Sequence, residues 1–360
     1  MNNRRKFFKS LGLLTATALV GGLHPKNSLA KTKIKWKMVT SWPKNFPGLG
    51  AGAETLARYI NNLSGGSLEV KVFGANELVP PLGVFDFVSS GGAEMGHSGA
   101  YYWKGKTEAA QFFSSVPFGM TAQEMNSWLY YGDGIKLWEE VYENFNLIPR
   151  PAGNTGVQMG GWFNKKINSL DDLKGLKIRM PGLGGKVLAK AGANPVNIDP
   201  GELYMAVERG VIDATEWVGP VFDKRQGLDE VAKYYYFPGW HEPGSQLELI
   251  INRDAWKLLE PDLKLIVETA AAKASLDIFA QSELQNTAAF LEMQADNSIE
   301  ILEFPESVLT ELRRLTALVI EEEVSADTDF SKVFEAYRAF EEDYQAYRSV
   351  TEIPYRKTFE

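Results

Sequence analysis

The 360-residue sequence has no cysteine and only three histidines. The first absence excludes thiol nucleophiles, disulfides, iron–sulfur ligation and every cysteine-based zinc site. The second means that an imidazole constellation would need nearly all of His24, His97 and His241. Positive charge is also scarce, with 38 Lys and Arg against 46 Asp and Glu, a net −8. That balance argues against nucleic acid and anionic membranes as partners, because both need positive surface to displace counterions. Beyond residue 30 no stretch approaches the roughly 18 consecutive apolar residues that would read as a bilayer span. What is present, 44% hydrophobic and 12% aromatic residues, is material for two cores at the usual domain size.

The N-terminus reads as a targeting segment. Asn3-Arg4-Arg5-Lys6-Phe7-Phe8-Lys9 is a twin-arginine signature, followed by the apolar stretch Leu11 to Leu23 and by Ser28-Leu29-Ala30, a small-x-small cleavage pattern. The expected signal is residues 1–30, cut so that the mature chain starts at Lys31 in the periplasm, with an uncleaved membrane anchor as the alternative. Its removal takes Arg4, Arg5, Lys6, Lys9 and Lys26 and no acid, so 38 basic residues fall to 33 against 46 acidic ones, a net −13. Because the twin-arginine route handles folded cargo, enzyme and binding protein both remain open.

The mature chain opens as α/β. Ile34-Lys35-Trp36-Lys37-Met38-Val39 and Leu68-Glu69-Val70-Lys71-Val72-Phe73 alternate as strands around a helix from about Ala51 to Leu63. A short helix is expected over Gly83 to Ser90 and a buried strand over Ala93 to His97. Helices follow at Thr121–Gly132, capped by Thr121 with Glu124, and at Ile135–Phe145. Pro149, Pro151 and Gly153 mark a change of domain, after which Thr155 to Phe163 and Leu176 to Met180 read as strands of a second sheet. Leu247 to Ile251 is a further strand, and Pro261 to about Gln294 is one continuous helical pattern, ~51 Å long at 1.5 Å per residue.

Three motifs invite chemistry. Gly48-Leu49-Gly50-Ala51-Gly52-Ala53 fits the relaxed dinucleotide fingerprint, with Glu69 downstream, but the prolines between Trp42 and Gly48 separate it from its strand. An exported dinucleotide-dependent oxidoreductase using this loop is the alternative function. Gly182-Leu183-Gly184-Gly185-Lys186-Val187 lacks the Ser or Thr that would hold magnesium in a phosphate loop. His241-Glu242 starts a zinc-protease motif that Ser245 breaks. There remain Arg179, which ends a strand and either grips a carboxylate or makes a surface salt bridge, and Glu216 beside Trp217. Glu242 after Trp240, with Gln158 and Asn154 as neutral oxygen donors, completes the set. Two carboxylates, an amide oxygen and an arginine suit a small carboxylate held with a hard cation such as sodium or calcium; spacing leaves open whether they converge.

Ser169-Leu170-Asp171-Asp172-Leu173-Lys174-Gly175-Leu176-Lys177-Ile178-Arg179-Met180 and Glu208-Arg209-Gly210-Val211-Ile212-Asp213-Ala214 resemble the solute receptors of tripartite ATP-independent periplasmic (TRAP) transporters. Thr40-Ser41-Trp42-Pro43, the run from Thr155 to Phe163, and Glu216-Trp217 are most similar to the branch that binds 2-oxo acids or lactate with a metal ion. The resemblance implies a two-lobed α/β fold of the periplasmic-binding-protein type, with a ligand cleft between the lobes and a long connecting helix. It divides the chain into lobe I, residues 31–153 plus about 247–290, and lobe II, residues 154–246 plus about 291–360 with the C-terminal helices. It implies no catalysis. Arg179 would pair with the ligand carboxylate, while Gln158, Glu216, Glu242 and the Trp217 carbonyl would hold the cation, sodium in preference to calcium. Tyr101 and Asn154 would touch the ligand. Membrane permease subunits are the implied partners, and a homodimer through the C-terminal helices is permitted.

Overall fold

The computed structural model describes residues 33–359. The expected signal, residues 1–30, and the expected new terminus at Lys31 lie outside the described residues. In chain order the strands are β1 Ile34–Thr40, β2 Leu68–Phe73, β3 Met95–Gly99, β4 Leu147–Asn154, β5 Gly161–Phe163, β6 Lys177–Arg179, β7 Asn194–Val196, β8 Ala214–Thr215, β9 Tyr234–Phe237, β10 Gln246–Asn252 and β11 Glu300–Glu303. They form two sheets, ordered β2-β1-β3-β10-β4 and β11-β9-β5-β8-β6-β7, one per lobe of an α/β chain. The alternation in β1 turns Trp36 and Met38 into the core, as a period of two requires. The helix Gly50–Leu63 buries Leu56 and Ile60, four residues apart on one face.

Three connections join the lobes. β4 runs into β5 through residues 155–160, β9 returns to β10 through residues 238–245, and the helix Pro261–Ala295 leads from the first sheet to β11 in the second. At 35 residues this helix is ~52 Å long. It packs on β4 and the helix Gly50–Leu63 of the first lobe and on the helix Pro220–Gln226 of the second. Small buried residues, Ala270, Ala271, Ala274 and Ser275, let it lie close to its neighbours. Among the described residues no helix is long and apolar enough to cross a membrane.

The reading of Thr155 to Phe163 as one strand is corrected: only Gly161–Phe163 is strand. The backbone N–H groups before it find their partners on three separate pieces of chain. Thr155 donates to Ser245 O (3.1 Å), Gln158 to Glu242 O (3.2 Å), Met159 to Val218 O (3.1 Å) and Gly160 to Tyr236 O (2.7 Å). A ladder needs one neighbouring strand, and this segment bonds instead to the loop 238–245, to Val218 after β8 and to Tyr236 of β9. The C-terminal chain braces both lobes. The helix Glu306–Ala326 packs on the helix Gly182–Lys190, and the helix Thr328–Arg348 packs on the turn Glu108–Phe113 and on the helices Ala122–Tyr131 and Gly134–Tyr142. The expected capping box at Thr121 and Glu124 is formed, and the other Glu124 oxygen accepts from Arg348 at 2.6 Å.

One core acid makes stability depend on pH. Glu248 on β10 is fully buried, with one oxygen accepting from Trp103 Nε1 and the other from Tyr142 Oη at 2.9 Å. Burial pushes its pKa from 4.5 up to about 7, against the pull of those two donors. The folded state therefore holds this proton to higher pH than the unfolded chain does. The contribution is full below the unfolded value and is lost as pH rises through the folded one. Between pH 4 and 8 the native protein should lose on the order of 2–3 kcal/mol more than Glu248→Gln, read by urea denaturation at each pH.

Candidate functional site

Strand pairing builds the first half of the site. β6 and β8 run parallel with Arg179 opposite Thr215, so Glu216, one residue past β8, stands beside the Arg179 side chain. The guanidinium donates from Nη1 to Glu216 Oε1 and to the Glu216 carbonyl (3.3 Å), and from Nη2 to Tyr102 Oη (3.3 Å). Its centre lies 5.3 Å from the Trp217 ring. Arg179 and Glu216 are each 1% exposed. Burial works against the Arg179 charge, but Glu216, the two tyrosines and Glu242 outweigh it and raise its pKa. Arg179 thus reaches from the second lobe to Tyr102 of the first. Trp217 does the same, meeting Trp42 and Phe46 edge-on at 6.4 and 6.0 Å.

The two crossing loops supply the other half. Gln158 Nε2 donates to Glu242 Oε2 (2.7 Å) and Thr155 Oγ1 (3.1 Å), and Gly239 N donates to Gln158 O (3.0 Å). These bonds clamp residues 155–160 against residues 238–245 and deliver Glu242 and His241 to Glu216. One donor atom each from Glu216, His241 and Glu242 lies within 4.8 Å of the others. Glu242 is buried, and its carboxyl is pushed well above the usual range, first by burial and then by the nearby Glu216 charge, with Arg179 pulling the other way.

The polar groups at this point are left incomplete in a specific way. Gln158 Oε1 and Glu216 Oε2 are buried acceptors with no hydrogen-bond donor, and Arg179 Nε and Trp217 Nε1 are buried donors with no acceptor. Each such group costs about 1–3 kcal/mol of desolvation when left unmatched. Acceptor oxygens without donors fit a cation, and donors without acceptors beside an arginine fit an anion.

Of the residues singled out in the sequence, the structure brings Gln158, Arg179, Glu216, Trp217 and Glu242 together. Tyr101 stands at the edge of the group, its ring 4.7 Å from that of Tyr102. Burial drives its hydroxyl pKa up, with Tyr102, Glu242 and Glu216 adding to the effect and Arg179 opposing it. Asn154 is turned to the backbone: its Oδ1 accepts from Gly156 N (2.9 Å) and its Nδ2 donates to Gln246 Oε1 (3.4 Å), which shapes the crossing of the two loops. Sequence reasoning missed Tyr102, Thr155 and His241. His241 carried a signal, since it adjoins Glu242. Tyr102 did not, because the short turn Ala100–Trp103 decides which of two adjacent tyrosines faces Arg179.

The competing motifs are spent on packing. A Cβ at Gly48 would stand 2.6 Å from the Phe222 ring, one at Gly50 2.1 Å from Pro43 O, and one at Gly52 2.7 Å from Ile278. The glycines admit the protein's own side chains and backbone where a dinucleotide would have to lie. Lys186 of the second glycine run bridges Glu108 and Glu323 at 2.8 and 2.6 Å. His97 is a satisfied core residue: Nδ1 accepts from Trp42 Nε1 (2.9 Å), which leaves Nε2 as donor to Ala152 O (3.0 Å), and burial lowers its pKa to about 4.

Residues 38–326 match the family described as bacterial extracellular solute-binding protein, family 7. A monocarboxylate 2-oxoacid-binding periplasmic protein of Nostoc sp. is 40% identical over 356 residues, 98% of this chain and 97% of that one. A TRAP periplasmic solute-binding protein from Pseudoalteromonas atlantica, solved with bound sodium and pyruvate, is 41% identical with a TM-score of 0.89, covering 91% of this chain and 100% of that one. Another from Colwellia psychrerythraea, with bound calcium and pyruvate, is 40% identical with a TM-score of 0.88, covering 91% and 99%.

Proposed function

The chain belongs to family 7 of the bacterial extracellular solute-binding proteins, the periplasmic solute receptors of TRAP transporters, and on that premise we propose what it binds and how. It is a receptor and not an enzyme. Its ligand is a small monocarboxylate, a 2-oxo acid such as pyruvate or a 2-hydroxy acid, taken up with a metal cation. The observation that carries this reading is the pairing of orphaned groups: acceptor oxygens on Gln158 and Glu216 beside orphaned donors on Arg179 and Trp217, all buried. A cation and an anion arriving together complete both sets, whereas either alone completes one.

In this reading Arg179 grips the ligand carboxylate through its free Nε and its Nη2 edge. Gln158, Glu216, Glu242 and the Trp217 carbonyl hold the cation, while Tyr101 borders the ligand and Asn154 acts at one remove by shaping the crossing of the two loops. A cation held there would supply the positive charge that offsets the Glu216 and Glu242 carboxylates beside an anionic ligand. Sodium is the ion we favour over calcium, although similar receptors at 41% and 40% identity hold one each with the same acid. The lobes, residues 31–153 with about 247–290 and residues 154–246 with about 291–360, would close by bending at the three connections. The closed form delivers the acid to membrane permease subunits after twin-arginine export. A homodimer through the C-terminal helices fits the apolar Tyr347, Val350, Tyr355 and Phe359, each at least 64% exposed.

Isothermal titration of the mature chain with pyruvate, in sodium, calcium or choline chloride at equal ionic strength, tests the reading. One-site binding that needs sodium or calcium and vanishes in choline is the expected result. Equal affinity in choline, or no heat with any 2-oxo or 2-hydroxy acid, would overturn it.

A further inference from the structure

We infer that His241 is itself a ligand of the cation, through Nε2 beside Glu216 and Glu242, so that the site takes borderline divalent metals such as zinc or cobalt(II) as well as hard ions. The inference rests on the cation-plus-acid reading above. His241 is 2% exposed, and neither ring nitrogen makes a hydrogen bond. An imidazole buried for structural reasons is normally bonded at both ends, as His97 is in this same chain. The His241 ring is also fixed in place. Its Cβ lies against Gly184, where an added Cβ would stand 3.0 Å away, and its plane meets Trp240 at 73° with centroids 5.6 Å apart.

The distances suit a shared metal. His241 Nε2 stands 3.5 Å from Glu216 Oε2, and ligand atoms about 2.0–2.2 Å from zinc stand about 3.4 Å apart at tetrahedral angles. Glu242 completes a set of three donors on three side chains, all within 4.8 Å of one another. A 2-oxo acid offers two further oxygens in chelating positions. Sodium and calcium gain little from an imidazole, whereas zinc, cobalt and nickel favour one. A nitrogen donor with no other partner is therefore a selectivity element that the oxygen ligands alone do not supply.

The test titrates the mature protein, saturated with pyruvate, with Ca²⁺ and with Zn²⁺ in competition, and repeats it with His241→Gln. One equivalent of Zn²⁺ should displace Ca²⁺ from the native protein, and the ratio of Zn²⁺ to Ca²⁺ affinity should fall by about tenfold in the variant, as expected for loss of one ligand contact worth about 1.4 kcal/mol. A ratio preserved in the variant, or Zn²⁺ that never displaces Ca²⁺, overturns the inference and leaves the receptor reading intact. Pyruvate binding that needs no cation at all overturns the receptor reading instead. A second measurement needs no variant. Electron spin-echo modulation of Mn²⁺ bound to the native protein should carry the ¹⁴N signature of a coordinated imidazole, and its absence counts against His241 as a ligand.

Discussion

Arg179→Ala should abolish carboxylate binding, with a loss of at least about 100-fold in affinity. Two charge-assisted hydrogen bonds to a desolvated carboxylate are worth about 1.5–3 kcal/mol each, so their removal costs on the order of 3–6 kcal/mol. The same substitution strips Glu216 of its buried partner, since Nη1 is the donor to Glu216 Oε1, and an uncompensated buried charge destabilises by about 3–5 kcal/mol. Binding and stability should therefore fall together, which makes Arg179→Lys the informative companion. Lysine keeps the positive charge and protects Glu216 but cannot present two parallel N–H bonds. Titration calorimetry should show Arg179→Lys folded, by an unfolding midpoint near that of the native protein, yet weakened for pyruvate by about 10-fold or more, roughly one lost hydrogen bond. Near-native affinity in Arg179→Lys would mean that the ligand is held by charge alone or elsewhere.

The second large effect separates the cation from the acid. Glu242→Gln preserves shape and keeps an oxygen near Gln158, but removes one negative charge from the proposed cation site. Because ligand charge count shifts hard-cation affinity by decades, Ca²⁺ affinity should fall by about 100-fold, and cation-dependent pyruvate binding with it. Stability of the ligand-free protein should move the other way. Glu242 is buried close to the Glu216 charge, and both effects raise its pKa, so ionising it in the fold is costly. An isosteric neutral residue should gain about 1–2 kcal/mol at pH 8. Weaker binding with a higher melting temperature is thus the expected signature, measured by calorimetry and by thermal unfolding without ligand. A variant that loses both would show that Glu242 holds the crossing loops together and has no part in the cation site.

Much of this protein is legible in its sequence, because local physics fixes it. Period-two alternation sets β1 and β2, the Thr121–Glu124 pair sets a helix start, and an unbroken apolar rhythm from Pro261 sets the long helix. The scarcity of cysteine, histidine and positive charge removes whole classes of chemistry without any coordinates. Arg179, Glu216, Glu242 and Gln158 could be picked out one at a time, as polar groups in places where burial would be costly. Their meeting could not, since it depends on β6 pairing in parallel with β8 and on two loops that cross between lobes and clamp each other. The segment Thr155 to Gly160 shows the limit: its composition reads as strand, but its N–H groups bond to the loop 238–245, to Val218 and to Tyr236 of β9, which only the assembled chain brings near. Likewise the choice of Tyr102 over Tyr101 at the guanidinium, and the unsatisfied ring of His241 beside Glu216, follow from side-chain directions set by tertiary packing. Residue type and spacing decide which chemistry is available, while burial and convergence decide which of it is left unsatisfied and so open to a ligand.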